Sequence, residues 1–240
     1  MAMNPKLLRP KASGFSPKNI AGLQLWLDAA DSSTISTSTG VSEWRDKSAT
    51  GSKWEQTTGN NQPATGTQTL NGRNVIVFDG SNDSLSATTP LSTSLPLSFF
   101  IVQRIVATTN FGMSYTAGTG DNFNVRQNST NGLLQITTPG GTVYQDGSGS
   151  RAGLDDILAF VVPSGASANS TLTRNGSTLT LSNATAKPTL TGTHYIGRRS
   201  DGFYANLWVA EIIAYSTELS TTQRRVVEAY LGKKWGITVA

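Results

Sequence analysis

The chain has 240 residues with 24 glycines, 9 prolines and no cysteine, and only 14% of its residues are charged. That excludes a disulfide framework and cysteine chemistry, and a single histidine, His194, disfavours zinc. The net charge of +4 sits at the ends: Lys6, Arg9, Lys11 and Lys18 precede the first acid, Asp28, and Arg224, Arg225, Lys233 and Lys234 outnumber Glu228 near the other end. Such tails are too sparse for nucleic acid and fit docking to an acidic surface.

Residues 1–19 read as an extended arm. Pro5, Pro10 and Pro17 block helix and sheet. Leu7, Leu8 and Phe15 have no local core to join, so with Arg9 they form the candidate partner-docking set. The arm carries no apolar run of secretory length, and no stretch of the chain is long and apolar enough to cross a membrane. Residues 20–240 then read as one domain, since all-β domains of this size are common.

Leu23 to Asp28 alternates and predicts the first strand, with Trp26 facing the core. Glu43 to Ser48 predicts a second short element with Trp44 inward. Val75-Ile76-Val77-Phe78 is a continuous apolar run, the pattern of a strand covered on both faces. It stops at the turn signal Asp79-Gly80, and Leu85 restarts an apolar run. Leu97 to Val106 and Ile157 to Val162 predict core strands. Phe123 to Val125, Leu133 to Ile136 and Thr142 to Tyr144 predict half-buried ones. Asp155 and Asp156 read as a solvated turn before the Ile157 strand. Thr171 to Leu181 predicts a hairpin, because Asn175-Gly176 tolerates the positive φ angles of a type I′ turn. Tyr195 to Arg198 leads to a turn at Asp201-Gly202, and Leu207 to Ser216 is the last long strand. A helix over about 220–235 follows. Ser220 and Gln223 have capping-box spacing, Gly236 can end the helix, and Val226, Val227, Tyr230, Leu231 and Trp235 supply an apolar face. The fold class is therefore all-β: a sandwich or jelly roll of two antiparallel sheets, with an N-terminal arm and one C-terminal helix.

Several motifs carry a resemblance. They are Trp26-Leu27-Asp28-Ala29-Ala30-Asp31, Trp44-Arg45-Asp46-Lys47-Ser48, Gln62-Pro63, Asn71-Gly72-Arg73, Val77-Phe78-Asp79-Gly80 with Asn82-Asp83, the run from Ile196 through Glu211, Leu219-Ser220, Gln223 and Trp235-Gly236. Together they resemble the laminin-G-like, concanavalin A-like lectin domains of tailed-bacteriophage structural proteins, over about residues 20–237. The resemblance implies a concanavalin A-like jelly roll. It also implies a virion protein made without a signal peptide, present in several copies as a capsid decoration or a tail or fibre component, with other virion proteins as partners and adhesion as an accessory role.

Three chemistries compete. Glycoside hydrolysis needs two carboxylates at a defined separation, and no paired-acid string is present; Glu211 stands alone on its strand. Nucleophilic catalysis lacks a Gly-x-Ser-x-Gly elbow. Binding to host surface glycans is the alternative to a purely structural role. It would use exposed aromatics, with Trp54, Tyr115, Tyr144, Phe203 and Tyr204 as candidates near strand ends or turns. Asp79, Asn82 and Asp83 cluster hard oxygens at one corner and are the candidate calcium site. Three ligands fall short of the six to eight that calcium takes, and capping of the turn is the competing reading. A non-enzymatic virion component is the expectation, and a polysaccharide-degrading enzyme is the least favoured one.

Overall fold

The protein is seen in a computed structural model that describes residues 14–106, 112–119, 122–127, 133–139, 141–145 and 150–240. Seventeen strands run through the described residues: β1 (Leu23–Asp28), β2 (Ile35–Thr37), β3 (Val41–Arg45), β4 (Lys53–Glu55), β5 (Ala64–Leu70), β6 (Arg73–Asp79), β7 (Leu85–Thr88), β8 (Leu97–Ile105), β9 (Gly112–Ala117), β10 (Phe123–Gln127), β11 (Leu134–Thr138), β12 (Gly141–Gln145), β13 (Asp155–Val162), β14 (Thr171–Arg174), β15 (Ser177–Leu179), β16 (Thr193–Ile196) and β17 (Asn206–Tyr215). One α-helix, α1 (Thr221–Trp235), follows them.

Eight strands form one antiparallel sheet in the order β15-β14-β13-β8-β17-β6-β5, with β1 also paired to β17; nine form the other, β12-β11-β10-β9-β16-β7-β4-β3-β2. The fold is thus the expected all-β sandwich with a C-terminal helix. The main core lies between the sheets and holds Leu25, Leu27, Trp44, Ile76, Phe78, Phe99, Phe123 and Phe160. A second core lies on the outer face of the eight-stranded sheet, under α1, and holds Trp26, Val75, Phe100, Val102, Ile213, Leu231 and Trp235. Central strands of this sheet are covered on both faces, which is why Val75–Phe78 and the β8 and β13 runs are continuously apolar. Trp26 therefore faces the helix layer, while Leu25 and Leu27 fill the space between the sheets.

A bulge in β17 decides where Glu211 points. Leu207 and Val209 face the main core, so strict alternation would send residue 211 there as well. The register against β8 slips between Val209 and Glu211, leaving Ala210 as the extra residue. Ile212 then faces the main core, and Glu211 turns toward α1. There it is 1% exposed and meets four donors. Trp26 Nε1 donates to Oε1 at 2.7 Å, and the Tyr230 hydroxyl at 2.9 Å. Trp235 Nε1 and Lys234 Nζ each donate to Oε2 at 2.7 Å. Burial raises the Glu211 carboxyl above its ordinary value, and Lys234 offsets only part of that rise. Lys234 also reaches Asp28 at 2.6 Å, and Lys47 pairs with Asp28 at 2.8 Å and with Asp31 at 2.7 Å. Asp46 Oδ1 accepts the Trp26 amide at 2.7 Å.

The helix has the expected ends. The Gln223 amide donates to Ser220 Oγ at 3.3 Å, the Ser220 amide donates to Gln223 Oε1 at 3.0 Å, and Gly236 takes a left-handed conformation at φ 72°. Its buried stripe is Arg224, Val227, Glu228, Leu231 and Trp235, while Val226 is 41% exposed. That corrects the expected apolar face: the stripe at i, i+3, i+4, i+7 and i+11 takes in Arg224 and Glu228, and Glu228 accepts a hydrogen bond from the Thr173 hydroxyl on β14. The acids at 155 and 156 are also not in a turn. They open β13, where Asp155 pairs with Arg104 at 2.6 Å and Asp156 is buried beside Arg151.

Residues 14–19 belong to the folded body. Phe15 packs edge-on against Tyr230 with ring centroids 5.6 Å apart, Pro17 is buried, and the Tyr215 hydroxyl donates to the Pro17 carbonyl at 3.1 Å. Phe15 of the expected docking set is therefore spent on its own helix; Leu7, Leu8 and Arg9 lie outside the described residues. The chain enters the fold on the helix side.

Replacing Glu211 with alanine would leave two buried indole N–H groups and a phenol without their acceptor and Lys234 with Asp28 alone. We expect a loss of about 3–5 kcal/mol in unfolding free energy, read by urea denaturation.

Candidate functional site

With the helix layer sealed over one sheet, the outer face of the nine-stranded sheet is the other broad surface of the sandwich. Inward residues on its strands are apolar: Trp44, Trp54, Leu85, Ile196, Tyr115, Phe123 and Ile136. Period-two alternation then puts their neighbours outside. The register lines these up across the sheet as Glu43, Glu55, Ser86, Tyr195, Thr116, Asn124 and Thr137. The row is partly or fully exposed from Glu43 to Tyr195, whereas Thr116, Asn124 and Thr137 are buried. Within the buried part, Asn124 Nδ2 donates to Thr137 Oγ1 at 2.9 Å.

Tyr195 is the aromatic centre of this row. On one side lies a depression of about 270 Å³ lined by Lys53, Glu55, Gln56, Thr57, Ser86, Ala87 and Thr88. On the other, Tyr195 itself lines a depression of about 220 Å³ with Gly118, Thr119, Asn122, Thr191, Gly192 and Thr193. The two meet where Thr88 pairs with Thr193. Glu43 is balanced by Arg45 at 3.1 Å and Lys53 at 2.9 Å, which offsets its repulsion with Glu55 directly opposite. A partly exposed aromatic ring among hydroxyls, an amide and carboxylates is the chemistry that fits a sugar, which offers one apolar face and a rim of hydroxyl groups.

A loop at the end of β16 frames the Tyr195 side. Gly197 has φ 83°, and a Cβ there would come within 2.2 Å of the Phe78 ring. Arg198 and Tyr204 form an isolated bridge, the Arg199 amide donates to the Phe203 carbonyl at 2.9 Å, and the Ala205 amide to the Gly197 carbonyl at 2.8 Å. The Arg198 guanidinium lies over the Tyr195 ring at 4.7 Å and the Tyr204 ring at 5.7 Å. Arg199 lies over Phe203 at 4.8 Å.

The five aromatics read as sugar candidates are divided by the fold. Trp54 and Tyr115 are completely buried and Tyr144 is 5% exposed, all in the main core, so none of the three can offer a face to a ligand. Tyr204 and Phe203 stay near the surface, each with an arginine over it. The calcium candidates resolve into a capped turn. Asp79 Oδ1 accepts the Ser81 and Asn82 amides at 2.8 and 3.3 Å, and Asp83 Oδ2 accepts the Asp79 amide at 3.0 Å. Burial raises the Asp83 carboxyl to about 6. Among the described residues no three acidic or histidine side chains gather to hold a metal. Sequence reasoning missed Tyr195 itself. Its signal was present: His194 and Ile196 flank it as inward residues of one short strand, and alternation turns Tyr195 outward.

No protein-family model matches the chain, and no curated protein matches it in sequence. Solved structures do share its fold. Trypanosoma rangeli sialidase in complex with sialic acid aligns with a TM-score of 0.63 at 12% identity, over 92% of this chain and 34% of that one. Domain 4 of an extracellular arabinanase from Geobacillus stearothermophilus, in complex with arabinotriose, aligns with a TM-score of 0.60 at 13% identity, over 84% of this chain and 96% of that one. The binding domain of Paraclostridial Mosquitocidal Protein 1 aligns with a TM-score of 0.62 at 10% identity, over 90% of this chain and 53% of that one. Identities this low establish a shared β-sandwich fold, and the chain spans about a third of the sialidase's length.

His194 lies directly beneath this surface and is completely buried. Its Nδ1 lies 2.7 Å from the Tyr115 hydroxyl and its Nε2 lies 3.2 Å from the Leu190 carbonyl. A carbonyl can only accept, so Nε2 carries the proton and Nδ1 accepts from the tyrosine. Burial lowers the His194 pKa from 6.5 to about 4. The unfolded chain therefore binds this proton more readily. The stability that His194 contributes is present above pH 6.5 and is lost as pH falls toward 4, by about 3 kcal/mol. Asp83, with its raised pKa, acts in the opposite sense over part of this window. The check is the difference in unfolding free energy between wild type and His194→Gln from pH 7 to pH 4, which we expect to shrink as pH falls.

Proposed function

We propose that the chain is a non-catalytic glycan-binding module whose binding surface is the exposed row from Glu55 through Ser86 to Tyr195. The observation that carries this reading is Tyr195, partly exposed between two polar depressions on the outer face of the nine-stranded sheet. One of the structures that share the fold, an arabinanase domain aligned over 96% of its length, is in complex with arabinotriose, which supports binding as a use of this architecture. The non-catalytic part rests on the acids. Glu211 is sealed under the helix, and Glu43, the acid paired with Glu55, is tied to Arg45 and Lys53. The module is displayed by a larger assembly, and the phage-type resemblance names a tailed-phage particle carrying several copies. In support, Phe15 and Pro17 pack on the helix side, opposite the proposed glycan face. Tracing the chain in purified particles tests the assembly role, and its absence from them would remove that part.

Tyr195→Ala is expected to weaken glycan binding at least about tenfold, measured by calorimetry on the best ligand from a glycan array, with the far-UV spectrum unchanged. Retained affinity would move the site elsewhere. Release of sugar that stops in Glu43→Gln or Glu55→Gln would overturn the non-catalytic part.

A further inference from the structure

We infer that the Tyr195 end of this face selects glycans bearing a negative charge, with Arg198 as the selecting residue; this rests on the glycan-binding reading above. Arg198 is partly exposed and makes no direct carboxylate contact among the described residues; Asp201 feels its charge from a distance. Its Nε donates to the Arg199 carbonyl at 3.2 Å and its Nη2 to the Ser200 carbonyl at 3.3 Å. The closest acid in sequence, Asp201, is held by Arg199 in a two-point pair, with Nε to Oδ1 at 2.6 Å. Guanidinium has five N–H donors in a rigid plane. Two bonds to carbonyls leave Nη1 and the second Nη2 proton, an edge that matches two oxygens of a carboxylate or a sulfate.

That edge is held in place before any ligand arrives. The guanidinium plane lies over the rings of Tyr195 and Tyr204, and the loop under it is pinned by Gly197 against Phe78 and by the Arg198–Tyr204 bridge. Little freedom is lost when an anion binds. The other end of the row does not share this bias, because Arg45 and Lys53 face the carboxylates of Glu43 and Glu55. With Arg198 and Arg199 against the single carboxylate of Asp201, net positive charge is thus concentrated at the Tyr195 ring.

The test compares four polymers by calorimetry at two salt concentrations: polygalacturonate, the same polymer with its carboxyls reduced to alcohols, dextran sulfate and dextran. Wild type is expected to bind one or both charged polymers on the order of tenfold more tightly than the neutral counterpart, with the advantage shrinking in high salt. The two charged arms distinguish carboxylate from sulfate. Arg198→Gln should abolish the preference and leave neutral binding in place, and Arg198→Lys should keep part of it through charge alone. An equal loss on all polymers in both variants would make Arg198 a buttress of the loop and overturn the inference. So would Tyr195-dependent binding with no preference for charge, which leaves the glycan-binding reading standing. Binding to none of the four, with a blank glycan array, overturns both.

Discussion

The carboxylate of Glu211 is the interaction on which the rest of the structure depends. A charge removed from water costs several kcal/mol unless its lone pairs are filled, and here two indoles, a phenol and an ammonium fill them. These donors come from β1 and α1, while the acceptor is on β17, so one carboxylate joins the first strand, the last long strand and the helix. Lys234 extends the network to Asp28, and Lys47 extends it to Asp31. The motifs that carry the sequence resemblance converge at this place: Trp26 and Asp28, Asp46 and Lys47, Glu211, and Trp235. In space they are the fastening that holds the helix layer to the sheet.

That fastening gives the sandwich two unequal sides. On the helix side the outer face of the eight-stranded sheet becomes a second core, closed further by Phe15 and Pro17. Among the described residues no such layer covers β3, β4, β7 and β16 of the nine-stranded sheet, whose outward residues are polar apart from one ring. The loop that frames that ring is set by a contact through the sandwich. Phe78 lies in the main core, and its ring leaves room at residue 197 only for a glycine. Core packing and the geometry of the ligand-facing loop are therefore coupled, and Phe78 and Gly197 each belong to a motif that the sequence displays.

Much of the fold was legible from the chain alone, because local rules act there without competition. Continuous apolar runs marked the strands covered on both faces. Asn175 and Gly176, with φ of 50° and 81°, formed the turn their side chains permit. Ser220, Gln223 and Gly236 capped the helix as their spacing required. The alternation around Tyr195 was equally local. Aromatics near strand ends carry no such local signal of their face, and three of them, Trp54, Tyr115 and Tyr144, are the large side chains that fill the sandwich core.

What the sequence by itself determined was the all-β class, the long core strands, the turns and the capped helix. All follow from side-chain period and backbone preference over a few residues. Only the tertiary structure decided which face each strand presents and what its polar groups meet. The bulge at Ala210 reverses the face of Glu211 against the alternation that precedes it, and nothing in the local string marks the slip. The row from Glu43 to Tyr195 is likewise assembled from four strands far apart in sequence, aligned by hydrogen-bond register. Register is a property of the pair rather than of either strand, so it becomes visible only once the strands have met.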